Sequence, residues 1–239
     1  MKTKNRDLVN LIKADLEKEI DDNYKKNFLR FFKPCEKINF FGVPSPKVKK
    51  IISVYFPSVK KLKRKRIFSL CEELLKQKLC ELNSIAFAFV FKVKKYEKND
   101  FRIFERWIKK YVSNWGACDD LCLHGFGEFL FEFPEFLPKL KVWAKSKNRW
   151  FRRASSISLI YSLRRKAALK ETFEMAEILF RDKDDLVQKG CGWTLKEASN
   201  VYPKEIFNFV MKKKQKMPRI SLRYAIEKLP KDMKIKAIK

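Results

Sequence analysis

Apolar residues recur along most of the chain with the spacing of one face of an α-helix. Two runs show this clearly: Leu8, Leu11, Ile12, Leu16 and Ile20, then Ile67, Leu70, Leu74 and Leu75. Strict alternation of apolar and polar residues over the length of a strand is hard to find. The pattern predicts an all-α protein of about ten to twelve short helices.

Prolines indicate where these helices begin or end, because proline fits the first turn of a helix and disrupts its interior. The boundary prolines are Pro44, Pro46, Pro57, Pro134, Pro138, Pro203, Pro218 and Pro230. The segment 34–46 is expected to form the one clear irregular connection.

Two sets of similarly placed residues indicate a helical-hairpin repeat. Members of the first set are 36, 36 and 31 residues apart: Trp107, Trp143, Leu179 and Val210. Members of the second are 35, 37 and 31 apart: Trp115, Trp150, Val187 and Pro218. Such periods are typical of α-solenoids, in which stacked helix pairs form a concave surface. The alternative is an irregular helical bundle.

We therefore predict an α-α superhelix of HEAT-like hairpins with a concave basic groove. It forms a single domain over residues 1–239. Within it, N-terminal helices occupy 1–33, the connection 34–46, and the repeats 47–230.

The net charge of the chain limits the classes of partner that it can be expected to bind. Its 56 Lys and Arg residues against 28 Asp and Glu give a formal net charge of +28. With 46% hydrophobic residues the chain can bury a core, which excludes a disordered basic tail. A folded domain this positive attracts polyanions: nucleic acid, anionic membrane or acidic protein.

Neither a membrane span nor a signal peptide is expected. The longest apolar run, Ile85 to Phe91, is far shorter than the roughly 20 residues that a span needs. The first 19 residues are charged throughout and lack an apolar core. We expect a cytoplasmic protein.

Six cysteines are expected to be reduced, since the chain is large, rich in lysine and has no export signal. A zinc site is one interpretation of Cys118, Cys122 and the single histidine, His124, because cysteine and histidine are zinc ligands. That interpretation lacks a second pair of ligands, so we favour buried cysteines beside a core histidine and predict no metal.

Basic residues recur near the starts of the second helices of the hairpins. They are Arg152, Arg153, Lys189, Arg219 and Arg223. A cation near a helix N-terminus opposes the helix dipole, whereas a phosphate bound there is stabilised by backbone N–H groups, dipole and arginine together. We predict a stripe of phosphate contacts; ordinary solvated charges are the alternative.

The strongest candidate for chemistry is the helix expected to start at Trp115, with Ser113 or Asn114 as its N-cap. Asp119 then lies on the same face as Trp115, one turn further along, while Asp120 faces elsewhere. The alternative role for Asp119 is a solvent-facing partner of a nearby base.

Trp193 is the second candidate aromatic residue. Gly190 and Gly192 precede it and allow close approach of another backbone or of a ligand. From these residues alone, a core tryptophan is the default interpretation.

Five segments together resemble the AlkD-type DNA alkylation repair family of HEAT-like repeat proteins. They lie between about Phe31 and Ala225, in family order: Phe40–Pro46, Asn114–Asp119, Asn148–Arg153, Val187–Trp193 with Leu195–Glu197, and Leu222–Ile226.

The resemblance implies a monomeric, monofunctional DNA glycosylase that needs no cofactor. Its substrate would be duplex DNA carrying N3- or N7-alkylated purines, such as 3-methyladenine and 7-methylguanine, and it would be nucleoid-associated when bound. Asp119 would be catalytic, Trp115 and Trp193 would face the lesion, and Arg153 would lie beside a phosphate.

The chain departs from the family in one place. Where the family has an aromatic residue with a hydroxyl, the stretch 31–33 has Phe31 and Phe32 but no tyrosine. Two other functions stay open. One is a non-catalytic binder of branched or distorted DNA with the same fold, and the other is a HEAT-like scaffold for acidic peptides. The intact Trp115, Asp119 and Trp193 favour the glycosylase.

Overall fold

The computed structural model describes residues 2–32, 36 and 38–238, with side chains from Asn5 onward. All regular structure in these residues is helical. The α-helices are α1 (Lys2–Glu17), α2 (Asp22–Phe28), α3 (Ser45–Lys60), α4 (Arg64–Leu75), α5 (Cys80–Val93), α6 (Asp100–Tyr111), α7 (Trp115–Leu123), α8 (Gly125–Glu132), α9 (Lys139–Trp143), α10 (Arg149–Ile157), α11 (Ile160–Leu163), α12 (Leu169–Leu179), α13 (Asp185–Ser199), α14 (Pro203–Lys213), α15 (Arg219–Ala225) and α16 (Lys231–Ile238). Short 3-10 turns occupy Leu29–Phe31, Pro134–Phe136 and Lys214–Lys216.

The all-α prediction is confirmed, but the described residues form sixteen α-helices, more than expected. The number is higher because short breaks divide some of the expected helices, and apolar residues continue in the sequence across these breaks. For example, only Ser158 and Leu159 separate α10 from α11, and both are fully buried. A break made of buried residues leaves no polar gap in the sequence to reveal it.

The chain divides into two compact units. Unit 1 contains residues 1–100 and 110–125, and unit 2 contains residues 101–109 and 126–239.

In unit 1, α5 packs on α3, α4 and α7, and α1 packs on α3 and α4. The predicted apolar run of α4, from Ile67 to Leu75, supplies the core as expected. In α1, fewer of the predicted apolar residues face the core than expected. Ile12 and Leu16 are buried, whereas Leu11 is 57% exposed.

The described part of the 34–46 connection is anchored to α5 by one carboxylate. The buried Glu81 side chain accepts hydrogen bonds from the backbone N–H groups of Phe41, Gly42 and Val43, at 3.2, 2.9 and 3.1 Å. Gly42 has a φ of +97°, which favours glycine. Helix α3 begins at Ser45, inside the segment expected to be irregular, and residues 34, 35 and 37 lie outside the described residues.

Pro57 was expected at the beginning or end of a helix, but it lies inside α3. A proline there leaves the carbonyl of the residue four positions earlier without its helical partner. That residue is Ser53, and both Ser53 and Pro57 are exposed. Water can therefore satisfy the free carbonyl, which lowers the cost of the proline.

Unit 2 contains three of the four predicted hairpins. The pairs α9–α10, α12–α13 and α14–α15 pack within each pair, and the second helices pack in the order α10, α13, α15. Trp143 ends α9 and Trp150 lies in the first turn of α10, as the spacing predicted. Stacking of hairpin on hairpin confirms the α-α superhelical repeat as the fold class.

Close packing between α13 and α15 depends on a glycine. A Cβ atom built on Gly192 would lie 2.8 Å from the Ser221 Cα, which no side chain tolerates without a shift. The expectation that Gly192 admits another backbone is confirmed.

Candidate active site and nucleic-acid interface

Helix α7 begins as the sequence predicted. Asn114 has an extended backbone, and its side-chain oxygen accepts a hydrogen bond from the Ala117 N–H at 2.9 Å. This satisfies one of the backbone donors left free at a helix start. The cap fixes Trp115 as the first residue of α7 and Asp119 one turn further along.

Trp115 is held by the segment around the first 3-10 turn. Its indole N–H donates to the Phe31 carbonyl at 3.2 Å, and its ring stacks on Phe32 with centroids 5.3 Å apart. Its backbone N–H donates to the Glu36 carboxylate at 3.3 Å. The sequence placed Phe31 and Phe32 near the site but gave no sign that they orient Trp115.

A cavity of about 430 Å³ opens beside this tryptophan; we call it the Trp115 cavity. Its walls come from α2, the 3-10 turn Leu29–Phe31, α5 and the start of α7. Tyr24 is among its lining residues. A tyrosine therefore lines this cavity from α2, although the stretch 31–33 lacks one.

Cys80 also lines the Trp115 cavity. Burial raises the pKa of its thiol to about 12. Since the thiolate is the nucleophilic form of cysteine, Cys80 stays protonated at neutral pH and supplies no nucleophile there.

Asp119 is only 6% exposed, so it is not a freely solvated surface charge. Its neighbour Asp120 points elsewhere, as predicted, with a side chain 29% exposed. The two carboxylates on successive residues of α7 therefore have different surroundings, one buried and one partly solvated.

The prediction of a core histidine is wrong. The His124 side chain is 45% exposed. Its Nδ1 lies 2.9 Å from the Asp120 carbonyl oxygen and 3.1 Å from the Asp120 carboxylate. A side chain just past the last turn of α7 meets the open carbonyls of that turn, which keeps it at the surface.

The cysteines near this histidine, Cys118 and Cys122, are fully buried. In the described residues no disulfide joins Cys71, Cys80, Cys118, Cys122 or Cys191; Cys35 lies outside these residues. Within the described ranges no group of three or more His, Cys, Asp or Glu side chains is placed to hold a metal ion.

In unit 2, Arg153 is buried rather than solvated. It is 5% exposed, and its guanidinium donates to the Leu186 carbonyl on α13. A Cβ atom on Gly190 would lie 3.1 Å from the Arg153 Nη1. The close approach expected at Gly190 is thus made by the Arg153 side chain.

Arg152 lies in an intramolecular network. Its Nε donates to the Asp182 carboxylate at 2.6 Å, and its Nη1 donates to the carbonyls of Ser146 and Lys147 at 2.9 and 3.0 Å. These contacts tie the start of α10 to the turn that precedes it and to the turn between α12 and α13.

The other predicted phosphate ligands have freer side chains. Lys189 is 38% exposed and lies 3.6 Å from the Asp185 carboxylate. Arg219 and Arg223 are exposed on α15.

Trp193 is half-buried on α13, so the default interpretation of a core tryptophan is wrong. Its indole N–H donates to the Glu197 carboxylate at 3.1 Å, and Glu197 also pairs with Arg164 at 2.8 Å.

The structure thus groups the predicted site residues within units. It brings Trp115 and Asp119 together on α7 of unit 1. In unit 2 it places the Arg153 guanidinium against Gly190, three residues before Trp193.

Comparisons with known proteins agree with the resemblance seen in the sequence. The family model described as DNA alkylation repair enzyme matches residues 12–229. A solved structure from Enterococcus faecalis, described as a predicted DNA alkylation repair enzyme, superposes with a TM-score of 0.77 at 15% identity. The match covers 89% of this chain and 98% of that one, and at this identity it shows the fold alone. No curated protein matches the sequence significantly. None of the described helices is both long and apolar enough to cross a membrane.

Proposed function

Because this chain belongs to the DNA alkylation repair enzyme family, we propose that it is a DNA glycosylase that releases N3- and N7-alkylated purines from duplex DNA. The observation that carries the proposal is the start of α7. There the Asn114 cap sets Trp115 at the edge of a cavity and the buried Asp119 one turn further along.

The alkylated bases of the proposed substrates are good leaving groups without further activation. A purine alkylated at N3 or N7 already carries a positive charge, so no general acid has to protonate it. Neither the protonated Cys80 nor the exposed His124 is therefore required as an acid. For the same reason no cofactor is needed.

Asp119 supplies the electrostatic part of the mechanism. Cleavage of the N-glycosidic bond develops positive charge on the deoxyribose, and a carboxylate stabilises that charge and holds the attacking water. A carboxylate that is 6% exposed acts in a medium of lower dielectric than water, where its field is stronger.

The two tryptophans supply selectivity for charged bases. A cation over an indole face is stabilised by about 0.5 to 2 kcal/mol, which a neutral purine does not receive. Trp115 is suited to this role because Phe31 and Phe32 fix its ring before DNA arrives. Trp193 is fixed in turn by Glu197.

Phosphate contacts would hold the DNA. With a net charge of +28 the chain attracts a polyanion at long range. Lys189, Arg219 and Arg223 have the exposed side chains that direct contact requires. Arg152 and Arg153 would share their donors with the internal acceptors that they already bind. We further propose that the protein acts as a cytoplasmic monomer, associated with the nucleoid when bound to DNA.

The mechanism is tested by replacing one carboxylate of α7 at a time. Asp119→Asn keeps the side-chain shape and removes the charge, and loss of such a preorganised contact lowers the rate by about 10² to 10³. Asp120→Asn, on the next residue, is the matched control and should leave the rate unchanged. The measurement is single-turnover release of 7-methylguanine from duplex DNA with saturating enzyme, which separates chemistry from association.

DNA affinity should persist in Asp119→Asn, because the substitution removes a negative charge that opposes the phosphates. A rate within about threefold of wild type, less than 1 kcal/mol of barrier, would remove Asp119 from the mechanism. The protein would then be the non-catalytic DNA binder.

A further inference from the structure

A second cavity in unit 1 adjoins the Trp115 cavity. It has a volume of about 570 Å³, within the range of about 300 to 1,000 Å³ that is usual for small-molecule sites. It follows α5 from Cys80 to Lys92, a length of about 18 Å at the rise of an α-helix. We call it the α5 cavity. It shares Tyr24, Phe28, Cys80 and Ser84 with the Trp115 cavity.

The walls of the α5 cavity carry aromatic rings and aliphatic side chains beside polar groups. Tyr24 and Phe28 stack at one end with ring centroids 5.5 Å apart, and Phe91 meets His124 at the other with centroids 5.0 Å apart. The aliphatic side chains of α3 line the space between them. Such walls suit a planar aromatic ring, which stacks on them.

Polar groups in the lining point to a ring with hydrogen-bonding edges. In the described part of the chain, the hydroxyls of Tyr24 and Ser84 have no hydrogen-bond partner. The Asp120 carboxylate also lines the cavity. A purine offers ring nitrogens and amino groups to these side chains. A fatty acyl chain would bury them without compensation, at a cost in free energy.

Two lysines also line the α5 cavity. Lys49 on α3 and Lys92 on α5 are exposed, and neither forms an ion pair with a described carboxylate. The Lys92 Nζ lies 5.3 Å from the centre of the Phe56 ring. Unpaired ammonium groups at the edge of an aromatic cavity suit a phosphate attached to the ring's sugar.

We propose that the α5 cavity binds a purine nucleotide, with the base beside Tyr24 and Ser84 and the phosphate at Lys49 and Lys92. The nucleotide has two possible sources with the same chemistry: a free mononucleotide, or an unpaired nucleotide of bound DNA. The second source rests on the proposed function, because it requires DNA to be held beside Trp115.

The probe is 2-aminopurine deoxynucleoside 5′-monophosphate, whose fluorescence falls when the base stacks on an aromatic ring. Wild-type protein should quench it saturably. Lys49→Ala should weaken binding by about tenfold, equal to about 1.4 kcal/mol. Lys50→Ala is the matched control, since Lys50 is also exposed on α3 but lies outside the lining, and it should bind as wild type does.

A second variant tests the cavity itself. Ala88 lies in its lining on α5, and Ala88→Phe fills the space without replacing any residue of α7. Quenching should be lost while the helical circular dichroism and the Tm stay near wild type. If Ala88→Phe does not fold, Lys49→Ala against Lys50→Ala decides alone.

The source is tested with 2-aminopurine placed in DNA, unpaired in a single-nucleotide bulge or fully paired. Quenching of the free nucleotide identifies the first source, and quenching of the bulged duplex alone identifies the second. Absence of saturable quenching in both arms would overturn the proposal. So would equal losses in the two lysine variants, or displacement of the probe by oleate but not by dAMP. Neither arm uses an alkylated base or measures base release, so this proposal and the glycosylase proposal fail independently.

Discussion

Trp115 and Trp193 are placed by different kinds of contact. Trp115 is oriented by residues more than 80 positions away in the sequence, the Phe31 carbonyl and the Phe32 ring. Trp193 donates to Glu197, only four residues further along the same helix. The first orientation depends on tertiary structure, whereas the second follows from the i,i+4 geometry of one helix. Trp115 is therefore the more sensitive of the two to changes elsewhere in the chain.

The backbone around the two tryptophans differs as well. Trp115 follows a side-chain cap at a helix start, whereas Trp193 lies in a helix packed closely through Gly190 and Gly192. We therefore expect the packing around Trp193 to respond more strongly to a side chain added at Gly190 or Gly192 than to the loss of a single contact of Trp193.

The largest effect on stability is expected from Gly192→Ala. The new methyl group would meet the Ser221 backbone at 2.8 Å, and such overpacking costs about 1 to 3 kcal/mol. Gly190→Ala is the matched comparison, because its methyl group meets the Arg153 side chain, with Nη1 at 3.1 Å, instead of a backbone atom. Urea unfolding should show the greater loss in Gly192→Ala, because a side chain can shift more easily than the Ser221 backbone. A loss in Gly192→Ala no greater than the loss in Gly190→Ala would contradict this difference.

Loss of the ring beneath Trp115 should have a smaller effect, on activity. A stacked aromatic pair contributes about 0.5 to 1.5 kcal/mol, so Phe32→Ala should slow single-turnover base release by up to about tenfold. Glu197→Gln should change the rate by less than about threefold, or under 1 kcal/mol, because the amide oxygen still accepts the Trp193 N–H. The opposite order of effects would contradict the distinction between the two tryptophans.

The smallest effects are expected from single phosphate contacts. Arg223→Ala should reduce the slope of log K against log salt by about one and weaken binding across DNA sequences, with no change in Tm. Arg152→Ala should lower the Tm, because it breaks the pair with Asp182 and leaves two carbonyls without their donor. Fluorescence anisotropy at several salt concentrations and thermal unfolding separate the two. An unchanged slope in Arg223→Ala would remove this arginine from the DNA interface.

Local signals in the sequence predicted much of this molecule. The helical class and the cap of α7, expected at Ser113 or Asn114, depend on residues within one or two turns, whereas the hairpin period depends on repeated spacings of 31 to 37 residues. All three predictions are confirmed, with Asn114 as the cap. Gly190 and Gly192 were recognised as points of close approach because small residues allow it, although the sequence did not identify Arg153 and Ser221 as the approaching groups.

The rest depends on contacts between segments distant in sequence. Arg153 near a helix start suggested a solvent-facing base, yet the missing side chain of Gly190 gives it a buried position. The role of Glu81 in holding residues 41–43 has no local signature either. The prediction for His124 was wrong because apolar neighbours in sequence do not show which way a side chain at a helix end turns.

Release of free base by the wild-type protein tests the central claim most directly. Purified protein is incubated with duplex DNA treated with a methylating agent, and the small molecules released are identified by mass spectrometry. The account predicts time-dependent release of 7-methylguanine and 3-methyladenine, faster than spontaneous loss and without added metal or cofactor. Tight, salt-dependent binding of the same DNA without base release would contradict it and identify the protein as a non-catalytic DNA binder.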